Sequence, residues 1–147
     1  MSTVYSRSGS PVFRLLVSFP IACFSAAFVT DVVYVVSARI MWADFSDWLL
    51  AGGIAVGVLA AIVGIADAAS RRRVLPRRPV LPLAIGGLVV LLLAFLDNLV
   101  HSRDAWTSVV PEGIALSAVI VLVMLITAWA DAAAVSRARL RYAEMVA

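Results

Sequence analysis

The chain has 147 residues, of which 63% are hydrophobic and 14% charged, with a formal charge of +3. A soluble domain has about 45–50% apolar and about 25% charged residues, so a fold of this size could not hide its apolar surface from water, and lipid is the natural solvent. Its 12 basic residues are all arginine and follow the pattern of apolar runs instead of forming one aromatic-laced patch, which argues against a nucleic-acid partner.

Runs of about 20 apolar residues read as membrane-spanning helices, and four occur, over 15–36, 49–69, 80–100 and 113–134. The first follows Arg14 and has small residues around Ser25 and Ala27, as a secretory signal does. Its apolar character continues to Val36 without a cleavage region, so it is expected to be a retained span. Ser18 and Pro20 are expected to kink it, and Cys23, the sole cysteine, allows no intrachain disulfide. Asp31 lies near its outer end beside Thr30, with Tyr34 one turn on. A loop over 37–48 follows, carrying Trp42, Asp44, Asp47 and Trp48.

The second span carries Gly53, Gly57 and Gly64, a small-residue face on which helix backbones approach closely. Asp67 at its inner end precedes Arg71 by four residues, the favourable order for a helical ion pair. The loop 70–79 holds Arg71, Arg72, Arg73, Arg77 and Arg78 with Pro76 and Pro79, and anionic lipid or protein is its expected contact. Gly86 and Gly87 are the packing glycines of the third span, where Asp97 precedes His101 by four residues, an expected hydrogen bond at the outer surface. Trp106 and Pro111 fall in the last loop, and Asp131 at the inner end of the fourth span is expected to anchor at the interface. A tail over 135–147 holds Arg137, Arg139 and Arg141.

Ten of the 12 arginines fall in the N-terminal segment, the 70–79 loop and the tail. The positive-inside bias then places both termini and the arginine loop in the cytoplasm. The all-arginine composition suggests a GC-rich bacterial genome, hence a multi-pass protein of the bacterial inner membrane. The expected fold is all-α, a four-helix transmembrane bundle. Arg39, Trp42 and the stretch Ala66-Asp67-Ala68-Ala69 recur 64 residues on, as Arg103, Trp106 and Ala130-Asp131-Ala132-Ala133, which points to two tandem helical hairpins in parallel.

Ionisable residues within spans are functional candidates because their burial is costly. Asp31 is either a proton- or cation-binding carboxylate or a buried aspartate satisfied by its neighbours. The second reading is the simpler, since no second deep carboxylate or basic partner continues a relay from Asp31 across the bilayer. Asp67, Asp97 and Asp131 are more cheaply explained by local pairing. His101 is the sole histidine, so no zinc set, triad or phosphate loop is expected, and no cofactor either. If haem or quinone were bound, His101, Trp42 and Trp106 would be the candidate contacts.

The segment Gly9-Ser10-Pro11-Val12-Phe13-Arg14-Leu15, with Phe19-Pro20-Ile21 after it, resembles the opening of a bacterial four-helix membrane family of unknown function. That family typically reads G-H-P-x-H-P-x-L and then F-P-I. The resemblance continues through Asp31, the Gly-x-x-Asp at Gly64 and Asp67, Asn98 and Trp129, covering nearly the whole chain. Ser10 and Phe13 stand where the family has two histidines, and its histidine near the start of the third span is missing too. Members look like companions of periplasmic redox enzymes, including quinoprotein-type sugar dehydrogenases. The resemblance implies a membrane subunit near a respiratory or dehydrogenase complex and supplies no reaction. With the topology and the absence of a ligand set, the leading expectation is a non-enzymatic subunit that anchors or stabilises such a complex, with lipid and other membrane subunits as partners. Electron transfer through haem or quinone, and proton or cation carriage by Asp31, are the rival expectations.

Overall fold

The computed structural model describes residues 11–71, 81–103 and 109–146, and the description below covers these. They form four long helices, α1 (Pro11–Ser37), α2 (Ile40–Arg71), α3 (Leu81–His101) and α4 (Ile114–Val146), with a short turn over Val109–Gly113 leading into α4. Each helix contains a stretch long and apolar enough to cross a membrane. Only about a fifth of each such stretch (17–22%) is buried inside the chain, so most side chains of the bundle face outward, where lipid is the compatible solvent.

Proline begins α1, at the helix position where its missing N–H costs nothing. Pro20 lies inside α1, buried, and the helix continues past it to Ser37. The link to α2 is very short. Ala38 takes a left-handed conformation (φ 51) and its N–H reaches the Tyr34 carbonyl at 2.8 Å, the usual way a helix closes its last turn. The polar stretch expected as a loop over 37–48 is therefore mostly the start of α2. At 1.5 Å per residue, the 32 residues of α2 reach about 48 Å, against a hydrocarbon core of about 30 Å. Its polar first turns continue the helix beyond the apolar part, because Asp and Trp make a helix emerge from lipid but do not end it. Likewise α4 runs on through most of the expected tail. Of the 70–79 arginine loop, residues 72–79 lie outside the described residues, as does Trp106.

Consecutive helices pack side by side and α4 closes the ring against α1. Successive helices run in opposite directions, so the α1–α2 turn, His101 and the start of α4 share one end, called here the turn end. The far end holds Arg14 and Ser70. On the bundle axis, Phe24 and Ala27 of α1, Leu50 of α2, Val90 and Ala94 of α3 and Ile120 of α4 form the main apolar core. A smaller cluster at the turn end joins Tyr34, Ala43 and Val109.

Glycines set the helix approaches. A methyl group at Gly53 would lie 2.5 Å from the Phe24 ring, one at Gly57 2.6 Å from Leu91, and one at Gly64 2.7 Å from Phe13. At Gly86 it would overlap Thr127 of α4. Gly87, expected to share this role, faces open space instead. Adjacent residues on a helix point about 100° apart, so only one of the pair can meet α4.

Candidate functional site

Between the two apolar clusters lies a polar layer. The buried polar residues among those described are Thr30, Asp31, Ser46, Asp97, His101 and Ser117. By helix rise each falls within about 11 Å of the turn end. The layer is built by helix ends: Asp31 lies late in α1, Ser46 early in α2, Asp97 and His101 in the last turn of α3.

His101 sits between two carboxylates. Its Nε2 is 3.0 Å from Asp31 Oδ1 across the diagonal of the bundle, and its Nδ1 is 3.1 Å from Asp97 Oδ1 one turn back. All three side chains are fully buried. Nδ1 also lies 3.0 Å from the Asp97 backbone oxygen. A carbonyl only accepts, so Nδ1 carries a hydrogen. Asp97 Oδ1 approaches that nitrogen without hydrogen-bond alignment, which leaves both its carboxylate oxygens, like Asp31 Oδ2, without a hydrogen-bond partner. Ser46 donates its hydroxyl to Asp31 Oδ1 at 2.5 Å, and Thr30 lies 2.7 Å from Ser46. The result is one connected chain, Thr30–Ser46–Asp31–His101–Asp97, that crosses from α1 to α2, back to α1, and on to α3.

With Nδ1 bearing a hydrogen, the 3.0 Å contact between Nε2 and Asp31 Oδ1 requires another hydrogen. Otherwise two lone pairs would face each other in a buried site. That hydrogen resides on Nε2, giving imidazolium, or on Asp31. The site thus holds a proton by geometry. Ser46 bonds the carboxylate and not the imidazole, which is not the arrangement that activates a serine nucleophile.

The layer brings Asp31 partners that its own segment does not show, and it corrects one expectation. Asp31 has both a basic partner and a second carboxylate in its network, because α3 ends at the depth where α1 places Asp31. The Asp97–His101 pair is buried on the bundle axis, not at the outer surface. Hydropathy registers how polar a segment is but not which diagonal neighbour it meets. The late Asp in α1 and the late Asp-x-x-x-His in α3 were the available signal.

Other singled-out residues lie elsewhere. Tyr34 is buried one turn from Asp31 towards the turn end. Trp42 is half-buried, its ring centroid 6.1 Å from that of Phe45. Asp67 and Asp131 are half-buried near the far end, remote from His101 in the sense of the helices. Asn98 was read only as a resemblance mark. Its side chain donates to the Asp47 carboxylate at 2.9 Å and to the Asp47 carbonyl at 3.2 Å, a second tie between α2 and α3 beside the layer.

A haem bond at His101 would have to displace Asp31 or the Asp97 carbonyl. The imidazole also holds the two carboxylates on its opposite edges, a poor arrangement for sharing one ion. Among the described residues no group of three His, Cys, Asp or Glu is disposed to hold a metal.

The family model for a predicted membrane protein family (DUF2231) matches residues 9–144. The chain belongs to that family. No curated protein and no solved structure matches this DUF2231 chain significantly. The match agrees with four membrane-spanning helices, and the family's description carries no reaction.

Proposed function

We propose that this DUF2231 protein binds and releases protons at the buried Asp31–His101–Asp97 cluster, as a non-enzymatic membrane component that needs no cofactor. The observation that carries the reading is the Asp31–His101 contact, which demands a hydrogen between two groups that each exist with or without one. Charge balance supports it. With both carboxylates ionised and an imidazolium between them the cluster keeps one net negative charge, and net charge away from water is costly. One further proton on Asp97, whose carboxylate oxygens lack hydrogen-bond partners, makes the site neutral. Among the described residues, the titratable groups around His101 are Asp31 from α1 and Asp97 from α3, with Tyr34 one turn above; α2 contributes the hydroxyl of Ser46. With the arginine-rich end in the cytoplasm of a bacterial cell, the cluster lies beneath the outer face of the inner membrane.

Because His101 is the sole histidine, ¹⁵N-histidine labelling gives one unambiguous probe in lipid nanodiscs. The imidazole resonances should change reversibly as bulk pH is moved from about 4 to about 11, and Asp31→Asn should move the transition. Wild-type resonances that stay fixed over the whole range would overturn the reading.

A second reading rests on the outward apolar surface of all four spans. It is that the bundle anchors a larger membrane complex, respiratory or periplasmic dehydrogenase in kind, through protein contacts as well as lipid. Purification from native membranes in mild detergent tests it. Recovery of the chain alone would count against it.

A further inference from the structure

We infer that the proton site exchanges with water from the turn end only, and that Val109 is the side chain that closes this route. The inference rests on the proton-binding reading above and adds its sidedness and its gate. All six buried polar residues among those described belong to the turn-end layer. On the far side Ala27, Leu50, Ala94 and Ile120 pack directly beneath it, with Phe24 and Val90 below. From Thr30 to Leu15 the apolar part of α1 continues for about 22 Å. No described hydroxyl or carboxylate on the axis extends the chain in that direction, so the cluster is a one-ended pocket for protons, not a conduit across the bilayer.

Towards the turn end the described residues over the cluster form one small apolar group. Tyr34 lies one turn above Asp31 and Ala43 one turn above Ser46, and Val109 fills the space between them with no exposed surface. The turn that carries it packs on α1, α3 and α4. The chain leaves the bundle at once after Val109. Val110 has an extended backbone (φ −122, ψ 124) within that turn, and Val110, Pro111 and Glu112 are all exposed. Among the described residues, Val109 with Tyr34 and Ala43, backed by Ile40 and Trp42, covers the cluster towards the turn end, whereas the main apolar core separates it from the far end. The turn packs on the bundle through Val109 while Val110, Pro111 and Glu112 beside it are exposed, and such part-exposed segments are where local opening occurs.

The test is the rate at which the imidazole N–H hydrogens of His101 exchange with solvent, measured by NMR on ¹⁵N-histidine-labelled full-length protein in nanodiscs. Val109→Ala and Val90→Ala remove the same two methyl groups on opposite sides of the polar layer. Val109→Ala should accelerate exchange about tenfold by making local opening easier, and Val90→Ala should change it by less than about twofold. Val109→Thr has the same shape, so it keeps the fold if the alanine variant does not, and it should also accelerate exchange. Equal acceleration by Val90→Ala, or native-like exchange in both Val109 variants with unaltered His101 chemical shifts, would overturn the inference. Exchange does not require the cluster to change charge. A His101 that exchanges past Val109 but never titrates would sink the proton-uptake reading and leave the access route standing.

Discussion

Asp31 and Asp97 touch the same imidazole but contribute differently to the bundle. Asp31 lies on α1 and receives His101 from α3 and Ser46 from α2, so its single Oδ1 joins three helices. Asp97 lies on the same helix as His101, whose Nδ1 keeps the Asp97 backbone oxygen whatever the side chain. Removing Asp31 breaks the His101 contact and leaves Ser46 only the longer Ala27 carbonyl and Thr30 on α1, and such bonds in membranes are each worth about 0.6 to about 1.7 kcal/mol. Asp31→Ala should therefore lower stability by about 1–3 kcal/mol. Asp97→Ala should cost less than about 1 kcal/mol, since it also removes a buried carboxylate with no hydrogen-bond partner. Denaturation titrations in mixed micelles, followed by circular dichroism, check the order. An Asp97→Ala loss equal to that of Asp31→Ala would mean that the ion pair within α3, and not the diagonal tie, holds the layer.

At the scale of helices, the glycines separate packing from composition. Four of the five glycines singled out in the sequence stand where an added methyl group meets another helix, and Gly87 does not. Gly53→Ala would press on the Phe24 ring in the main core, and overpacking of this kind costs about 1–3 kcal/mol. Gly87→Ala meets nothing and adds helix propensity, so it should be neutral or stabilise by up to about 1 kcal/mol. The same titrations should give opposite signs for the two variants. A destabilising Gly87→Ala in the purified chain would mean that its face is not open within the bundle. The four apolar helices were legible because lipid exposure writes itself into composition. Their ends were not: Asp44, Asp47 and the tryptophans marked where α2 leaves lipid, while the turn itself falls at Ala38 and Arg39, which carry no glycine or proline to announce it. The polar layer was half legible for a related reason. The i,i+4 spacing of Asp97 and His101 is local, but their meeting with Asp31 depends on helix lengths and on which helices lie diagonally.

Over the whole molecule, charge and polarity are both lopsided, and together they give the bundle a direction. In sequence, ten arginines fall in the N-terminal segment, the 70–79 stretch and the tail, and among the described residues the buried polar layer lies at the turn end. If the arginine-rich segments are cytoplasmic, the proposed proton site faces the outside of the cell membrane; if the bundle is inverted, it faces the cytoplasm. Ser102 follows α3 at the turn end and Ser136 lies on α4 at the far end, and both are exposed. In a Cys23→Ser background, Ser102→Cys should react with a membrane-impermeant maleimide added to intact spheroplasts, and Ser136→Cys only after the membrane is opened. The reverse pattern would invert the protein and place the proton site beneath the cytoplasmic face. Labelling of both from outside would refute the four-span topology. The first outcome would turn the proposed proton site outward, where a change of protonation alters a polar contact that ties α1 to α3 across the bundle.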